Sequence, residues 1–297
     1  MRVGVVILPQ FPWLQARARW KSLEDRGFAH GWTYDHLSWR DLAEQNWYGT
    51  IPTLTAAATA TSTLRLGTWV TSPNFRHPVT LAKDLMTLDD ISGGRVIAGI
   101  GAGGTGWDAT VLGQDPLSAR QRVERLDEFV TLTDLLLRQP DTSWQGSYFQ
   151  AQQAKMIPAG SRSRIPLVVA ANGPRTIAIA AGKGDAWATT GPESSQIPDV
   201  TDDKWWQAVA GLVEKFETAA VSAGRDPAAV NRYLNLDSAP VLSISSINAF
   251  DDAAGRAAAI GFTDVVVHWP RPEGVYAGDE TVLDRIADRL TEGHLRS

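Results

Sequence analysis

A short apolar run, a polar turn and a helical face recur eight times along this chain, and that alternation constrains the fold more than any single motif. The apolar runs occupy residues 3–8, 29–34, 64–71, 95–100, 165–170, 185–189, part of 232–244, and 263–268. Helical faces lie between them. Residues 13–26 form one, closed by Gly27. Residues 48–61 are mostly Ala, Thr and Leu. Pro78 pre-sets the next helix, with Leu81, Leu85 and Leu88 on one face. Ser118 and Gln121 have capping-box spacing, followed by Val123, Leu126, Val130, Thr133 and Leu137. Later helices are expected over 174–181, along Trp206, Val209, Val213, Phe216 and Ala220, over 251–260, and along Leu283, Ile286 and Leu290. Pro240 leaves the register of the seventh strand open.

Eight strand–helix units predict an α/β fold of the (β/α)8 TIM-barrel type, a single domain over 1–297 with inserted loops. The polar, irregular stretch 139–164 reads as an excursion with one short hairpin. A doubly wound sheet is the alternative, but it usually needs fewer strands.

Composition removes several chemistries. With no cysteine, the chain has no disulfide, thiol nucleophile, thiolate metal site or iron–sulfur centre. A net charge of −5, from 28 basic and 33 acidic residues, gives no nucleic-acid footprint. The first apolar run is too short for a membrane span and is followed by Pro9, so a cytoplasmic protein without a membrane partner is expected. Of the 12 Trp, seven fall in the first 107 residues. Most are expected to pack the core, and those near strand ends could wall a cavity for a planar or apolar ligand.

In such a barrel the loops after the strands build the active mouth. They carry Pro9 and Gln10, Asp35 and His36, residues 72–77, 101–108 and 171–174, Thr190 and Gly191, the neighbourhood of Asp237, and His268 with Trp269. His36 at that mouth can donate to an anionic or carbonyl oxygen and can move a proton, or it caps a strand end. Asp35 orients a ligand or simply starts the next turn. His77 reads mainly as a helix N-cap, and His268 either faces the mouth or belongs to a packed turn. There is no His-Glu-x-x-His or Gly-x-Ser-x-Gly pattern, so zinc and serine-hydrolase chemistry have no support. The glycine-rich run 99–106 lacks the Walker Lys and follows the fourth strand rather than the first, so it is no dinucleotide fingerprint. Its backbone N–H groups, and those where Gly173 and Pro174 open a helix, suit a phosphate.

The segment Tyr34, Asp35, His36, Leu37, the stretch 66–78 (Leu-Gly-Thr-Trp-Val-Thr-Ser-Pro-Asn-Phe-Arg-His-Pro), the stretch 88–103, and residues 171–174 and 181–187 together resemble the luciferase-like flavin- or deazaflavin-dependent oxidoreductases. The resemblance runs over nearly the whole chain. It implies a (β/α)8 barrel, commonly a homodimer, holding a deazaflavin F420 or FMN ring in the mouth. It also implies a non-prolyl cis peptide at Trp69–Val70. By motif position, Asp35 and His36 match a polar pair near the ring and reacting centre, and Thr71 matches a side chain near the ring. Gly101, Ala102 and Gly103, with Ala171, Asn172, Gly173 and Pro174, match segments that wrap the ribityl and phosphate part.

Stretch 71–78 and the compact length look more like the F420 branch, with FMN as the alternative cofactor. Some F420 dehydrogenases carry a Glu acid where this chain has Gly104, which argues against their sugar-phosphate chemistry. The leading expectation is hydride transfer between F420 and a small-molecule substrate. In it His36 moves the proton, Asp35 tunes it or binds cofactor, and Trp39, Trp69 and Trp107 line an apolar cavity. Alternatives are an FMN-dependent monooxygenase fed by a separate reductase, and a non-catalytic ligand-binding barrel. Loops 101–117 and 190–204 are candidate covers of the mouth.

Overall fold

A computed structural model describes residues 1–159 and 164–293. The chain runs β1 (Arg2–Val6), α1 (Trp13–Asp25), β2 (His30–Thr33), α2 (Thr50–Ala60), β3 (Arg65–Thr68), α3 (Pro78–Ser92), β4 (Val96–Ile100) and α4 (Ala119–Arg138). A hairpin follows, β5 (Asp141–Gln145) and β6 (Gln150–Lys155). The alternation then resumes with β7 (Leu167–Ala170), α5 (Pro174–Lys183), β8 (Ala186–Thr189) and α6 (Asp202–Ser222). It closes with β9 (Asn231–Asn235), α7 (Ile247–Ala259), β10 (Asp264–His268) and α8 (Thr281–Thr291). Eight parallel strands close into a barrel in the order β1-β10-β9-β8-β7-β4-β3-β2, the TIM-barrel architecture.

Local signals set the element ends. Ser118 and Gln121 form a reciprocal capping box on α4. The His77 ring accepts the Val79 N–H at the start of α3, so this histidine is the helix cap. Two boundaries differ from expectation. β9 ends at Asn235, well before Pro240, because the chain there turns into two short 3-10 segments, Leu236–Ser238 and Ser243–Ser245. α7 begins at Ile247 rather than near residue 251, because Ser246 accepts the Ala249 N–H and caps it earlier. The excursion over 139–164 holds the antiparallel β5–β6 hairpin, and its residues 160–163 lie outside those described. Glu128 on α4 pins the hairpin by accepting the Trp144 indole N–H and the Ser147, Tyr148 and Phe149 amides.

Two apolar layers result. Between strands and helices lie Trp20, Leu23, Leu54, Leu85, Phe129, Phe216 and Phe250, all fully buried. Inside the barrel lie Val6, Trp32, Ile97, Val168, Tyr233 and Val266. The N-terminal end of the barrel is plugged by polar groups that satisfy one another. The Trp32 indole N–H donates to His30 Nδ1 at 2.6 Å, and His30 Nε2 meets Asp264 Oδ1 at 3.1 Å. Arg2 closes on the same carboxylate with two bonds of 2.7 Å. Burial lowers the His30 pKa against the pull of Asp264. This plug fills one end, so open space is left at the other, where the strands finish. Among the described residues no helix is long and apolar enough to cross a membrane.

Candidate active site

A cavity of about 830 Å³ opens at the C-terminal ends of the strands. One wall is apolar: Trp69 and Val70 from the end of β3, Ala170 from β7 and Ala188 from β8. The Trp69–Val70 peptide is cis. The glycine run Gly101, Gly103 and Gly104 with Ala102 forms the adjoining edge. Gly103 has φ +74°, and a Cβ there would lie 2.6 Å from the Asn74 side chain, so only glycine fits this approach. Asn74 in turn donates to the Gly104 carbonyl at 3.1 Å, which fixes the run's path.

The rest of the lining is largely polar. Asn172 bridges loops by donating to the Gly191 carbonyl at 2.8 Å while its Oδ1 accepts the Thr189 hydroxyl at 2.6 Å. Thr190, Asn235, Asp237 and Glu193 complete this part. Thr176, in the first turn of α5, also lines the cavity, close to backbone N–H groups that a helix leaves unpaired. Ser72 faces the same space, and its buried hydroxyl has no protein partner.

His36 sits on the rim, with its Nδ1 2.5 Å from Asp108 Oδ2. The second Asp108 oxygen accepts the Leu37 N–H at 2.8 Å, and the Trp47 indole N–H donates to the His36 carbonyl at 2.7 Å. Side chain and backbone are therefore both held. With Nδ1–H donated to the carboxylate, Nε2 is the nitrogen left to meet a ligand.

A second polar chain crosses the mouth from β10. Asp237 Oδ2 accepts the His268 amide and meets its Nδ1 at 3.0 Å. His268 Nε2 lies 2.9 Å from the Tyr34 hydroxyl, which lies 3.0 Å from the Tyr276 hydroxyl. Ser243 donates to the free Asp237 oxygen at 2.6 Å. The Tyr276 ring stacks on the His268 ring with centroids 3.5 Å apart. Burial, joined at Tyr34 by the neighbouring Tyr276, pushes the Tyr34 phenol well up, and burial also raises Tyr276.

Of the residues expected from sequence, His36, Trp39, Trp69, Val70, Gly101, Ala102, Gly103, Ala171 and Asn172 line this one cavity. Five do not. Asp35 is 1 % exposed and turns away to pair with Arg76 through bonds of 2.7 and 3.0 Å, so it is a buried ion-pair partner rather than a group facing a ligand. Thr71 is fully buried and does not line the cavity. Gly173 and Pro174 open α5 on its exposed side, and the turn presents Thr176 instead. Trp107 is 59 % exposed and lies away from the cavity, because its short 3-10 turn buries Asp108 instead. Sequence reasoning assigned no role to the side chains of Asp108, Tyr34, Tyr276 or Glu193. Their partners lie 72, 234 and 242 positions away where bonded, and no local spacing encodes such pairs. Among the described residues no group of His, Asp and Glu could hold a metal ion.

Residues 1–259 match the family described as luciferase-like monooxygenase. The chain belongs to that family. It is 30 % identical over 283 residues to the F420-dependent hydroxymycolic acid dehydrogenase of Mycobacterium tuberculosis, an alignment spanning 94 % of this chain and 72 % of that protein. It is 30 % identical over 186 residues to the 5,10-methylenetetrahydromethanopterin reductase of Archaeoglobus fulgidus, spanning 62 % of this chain and 52 % of the relative. Among solved structures, an F420-dependent secondary alcohol dehydrogenase in complex with an F420–acetone adduct superposes with a TM-score of 0.80 at 18 % identity, covering 100 % of this chain and 99 % of that one. The tetrahydromethanopterin reductase of Methanopyrus kandleri gives 0.78 at 19 % identity, covering 99 % of both chains. At such identities the superpositions establish the shared barrel. This family member is an enzyme of the luciferase-like oxidoreductase group.

Proposed function

We propose that this enzyme is an F420-dependent oxidoreductase that moves a hydride between the deazaflavin and a small, uncharged organic substrate. The observation that carries the reading is a histidine held by a carboxylate on the rim of a cavity large enough for a tricyclic ring and a second small molecule. The relatives named above as F420-dependent support the choice of cofactor.

The cavity suits such a group in three respects. The Trp69, Val70, Ala170 and Ala188 wall offers an apolar surface to a ring. Asn172, Thr189 and the unpartnered Ser72 hydroxyl offer hydrogen bonds to a polyhydroxylated chain. The backbone of Gly101, Gly103 and Gly104 and the first turn of α5 at Thr176 would hold a phosphate. When bound, the deazaflavin supplies the hydride chemistry. The protein's own part is orientation and proton movement. Asp108 fixes the His36 tautomer, so Nε2 takes or gives the proton that accompanies hydride transfer. Glu193 and Asp237 line the cavity, with Arg40 the one arginine or lysine among the described residues of its lining, so the lining favours a neutral substrate over an anionic one. That lining, with Gly104 in place of an acid, argues against a sugar phosphate.

Titrating the purified protein with F420 and, separately, FMN tests the reading through tryptophan fluorescence, since Trp69 and Trp39 line the cavity. Micromolar or tighter F420 binding with weak FMN binding is expected. Preferential FMN binding, with substrate conversion that requires oxygen, would replace it with a monooxygenase supplied by a separate reductase.

A further inference from the structure

His36 accounts for one side of the mouth. The buried chain from Asp237 to Tyr276 is used by nothing in that account, yet it ends at the same cavity. Three features distinguish it from a packing contact. Its four side chains are bonded in sequence, without a gap, from the Asp237 carboxylate through the buried His268 to the Tyr34 and Tyr276 phenols at the cavity wall. Asp237 and His268 are almost fully enclosed, whereas Tyr276 is partly exposed, so Tyr276 carries the most accessible hydroxyl of the chain. Finally, Tyr276 takes φ +60°, uncommon for a bulky residue. Arg271 holds that loop in place: its amide donates to the Tyr276 carbonyl at 2.9 Å, and its guanidinium to the Val275 and Glu273 carbonyls at 3.1 Å. The fold thus spends an unfavourable backbone conformation to set this phenol on His268 and against the cavity.

We propose that Asp237, His268, Tyr34 and Tyr276 form a second proton-transfer line into the cavity, with Tyr276 as the group that meets the ligand. Tyr34 and Tyr276 remain neutral hydroxyls able to donate and accept together. In the donating direction, the Nε2 proton of an imidazolium His268 passes to the Tyr34 oxygen. The Tyr34 proton passes to the Tyr276 oxygen, and the Tyr276 proton passes to the ligand. Three N–H or O–H bonds break and three form, and His268 ends neutral with its Nδ1–H still on Asp237. Water entering the open cavity returns a proton through the same groups in reverse. Arg40, on the rim, draws both phenols toward ionisation, but burial outweighs it and keeps them neutral. The line rests on the hydride-transfer reading for its use, but its connectivity does not.

Tyr276→Phe keeps the stacked ring and removes only the terminal hydroxyl; His268→Gln interrupts the middle. Two measurements judge them. In the protein without cofactor, labelled-histidine 15N NMR reads the His268 ring nitrogens. Tyr276→Phe is expected to shift the Nε2 resonance while Nδ1 stays protonated. With reduced F420 and cyclohexanone as the hydride acceptor, both variants are expected to lose at least about tenfold in turnover. In Tyr276→Phe the solvent deuterium isotope effect should rise, and F420 affinity should hold within about twofold. An unmoved Nε2 resonance, or full turnover in Tyr276→Phe, overturns the proposal. If the wild-type protein binds no F420 or does not reduce cyclohexanone, the hydride-transfer reading or the probe has failed. The NMR result alone then decides the line: a shift supports it and no shift overturns it.

Discussion

Asp108 holds His36 and its neighbour together: one carboxylate oxygen lies 2.5 Å from the His36 Nδ1 and the other accepts the Leu37 amide at 2.8 Å. The carboxylate sits in the loop after β4 and the histidine in the loop after β2, so two separate strand ends converge on one imidazole. Such a contact fixes both tautomer and direction.

His36→Ala is therefore expected to lower turnover by roughly 10²-fold or more while cofactor affinity survives. Asp108→Ala should cost a smaller factor, roughly tenfold or more, with the imidazole present but unheld. Steady-state kinetics beside a cofactor titration measures both. Near-normal turnover of His36→Ala would remove it from the chemistry.

Asp35 should behave differently from its neighbour. It is buried against Arg76, and removing one partner of a buried pair costs about 3–5 kcal/mol. Asp35→Ala is expected to lower the melting temperature by about 6 °C or more. Thermal unfolding tests this, and a variant as stable as wild type but inactive would return Asp35 to the catalytic group.

Glu24 ties α1 to the turn before β3 by accepting the amides of Ser62, Thr63 and Leu64. Burial acts to raise its pKa, but those donors hold it down at about 2. A carboxyl depressed in the folded state stabilises above its unfolded value of about 4.5 and loses that contribution as pH falls towards 2. Glu24→Gln should flatten the stability profile between about pH 4.5 and 2 relative to wild type. Denaturant melts across that range check this; parallel profiles would contradict it.

Gly99 faces the backbone of β3 so closely that a Cβ would lie 2.0 Å from the Thr68 carbonyl oxygen. A rigid neighbour cannot yield as a side chain could. Gly99→Ala is expected to destabilise by about 3 kcal/mol or more, read by chemical denaturation. A loss under 1 kcal/mol would mean that the β3–β4 pairing can slide.

The barrel itself was legible in the sequence. Alternating apolar runs and helical faces are local patterns, and Ser118 with Gln121, or His77 before Pro78, fix helix starts through neighbours a few residues away. The site was legible where it follows from position at a strand end, as for His36, Trp69 and the glycine run from 101 to 103. It was not legible where it depends on which way a side chain turns. Asp35 and His36 are adjacent in the chain, yet one pairs inward with Arg76 and the other reaches Asp108 on the rim.

The order of elements, the closing of eight strands and the set of loops at the mouth were thus determined by the sequence alone, because hydrophobic periodicity and caps act over a few residues. The partners of His36, His268 and Tyr34 were decided only by the tertiary structure. Barrel closure sets β1 between β2 and β10, and so brings residues at the ends of β2 and β10, more than 200 positions apart, within hydrogen-bond reach. Whether a carboxylate there serves the ligand or the fold depends on which buried cation or donor it meets first.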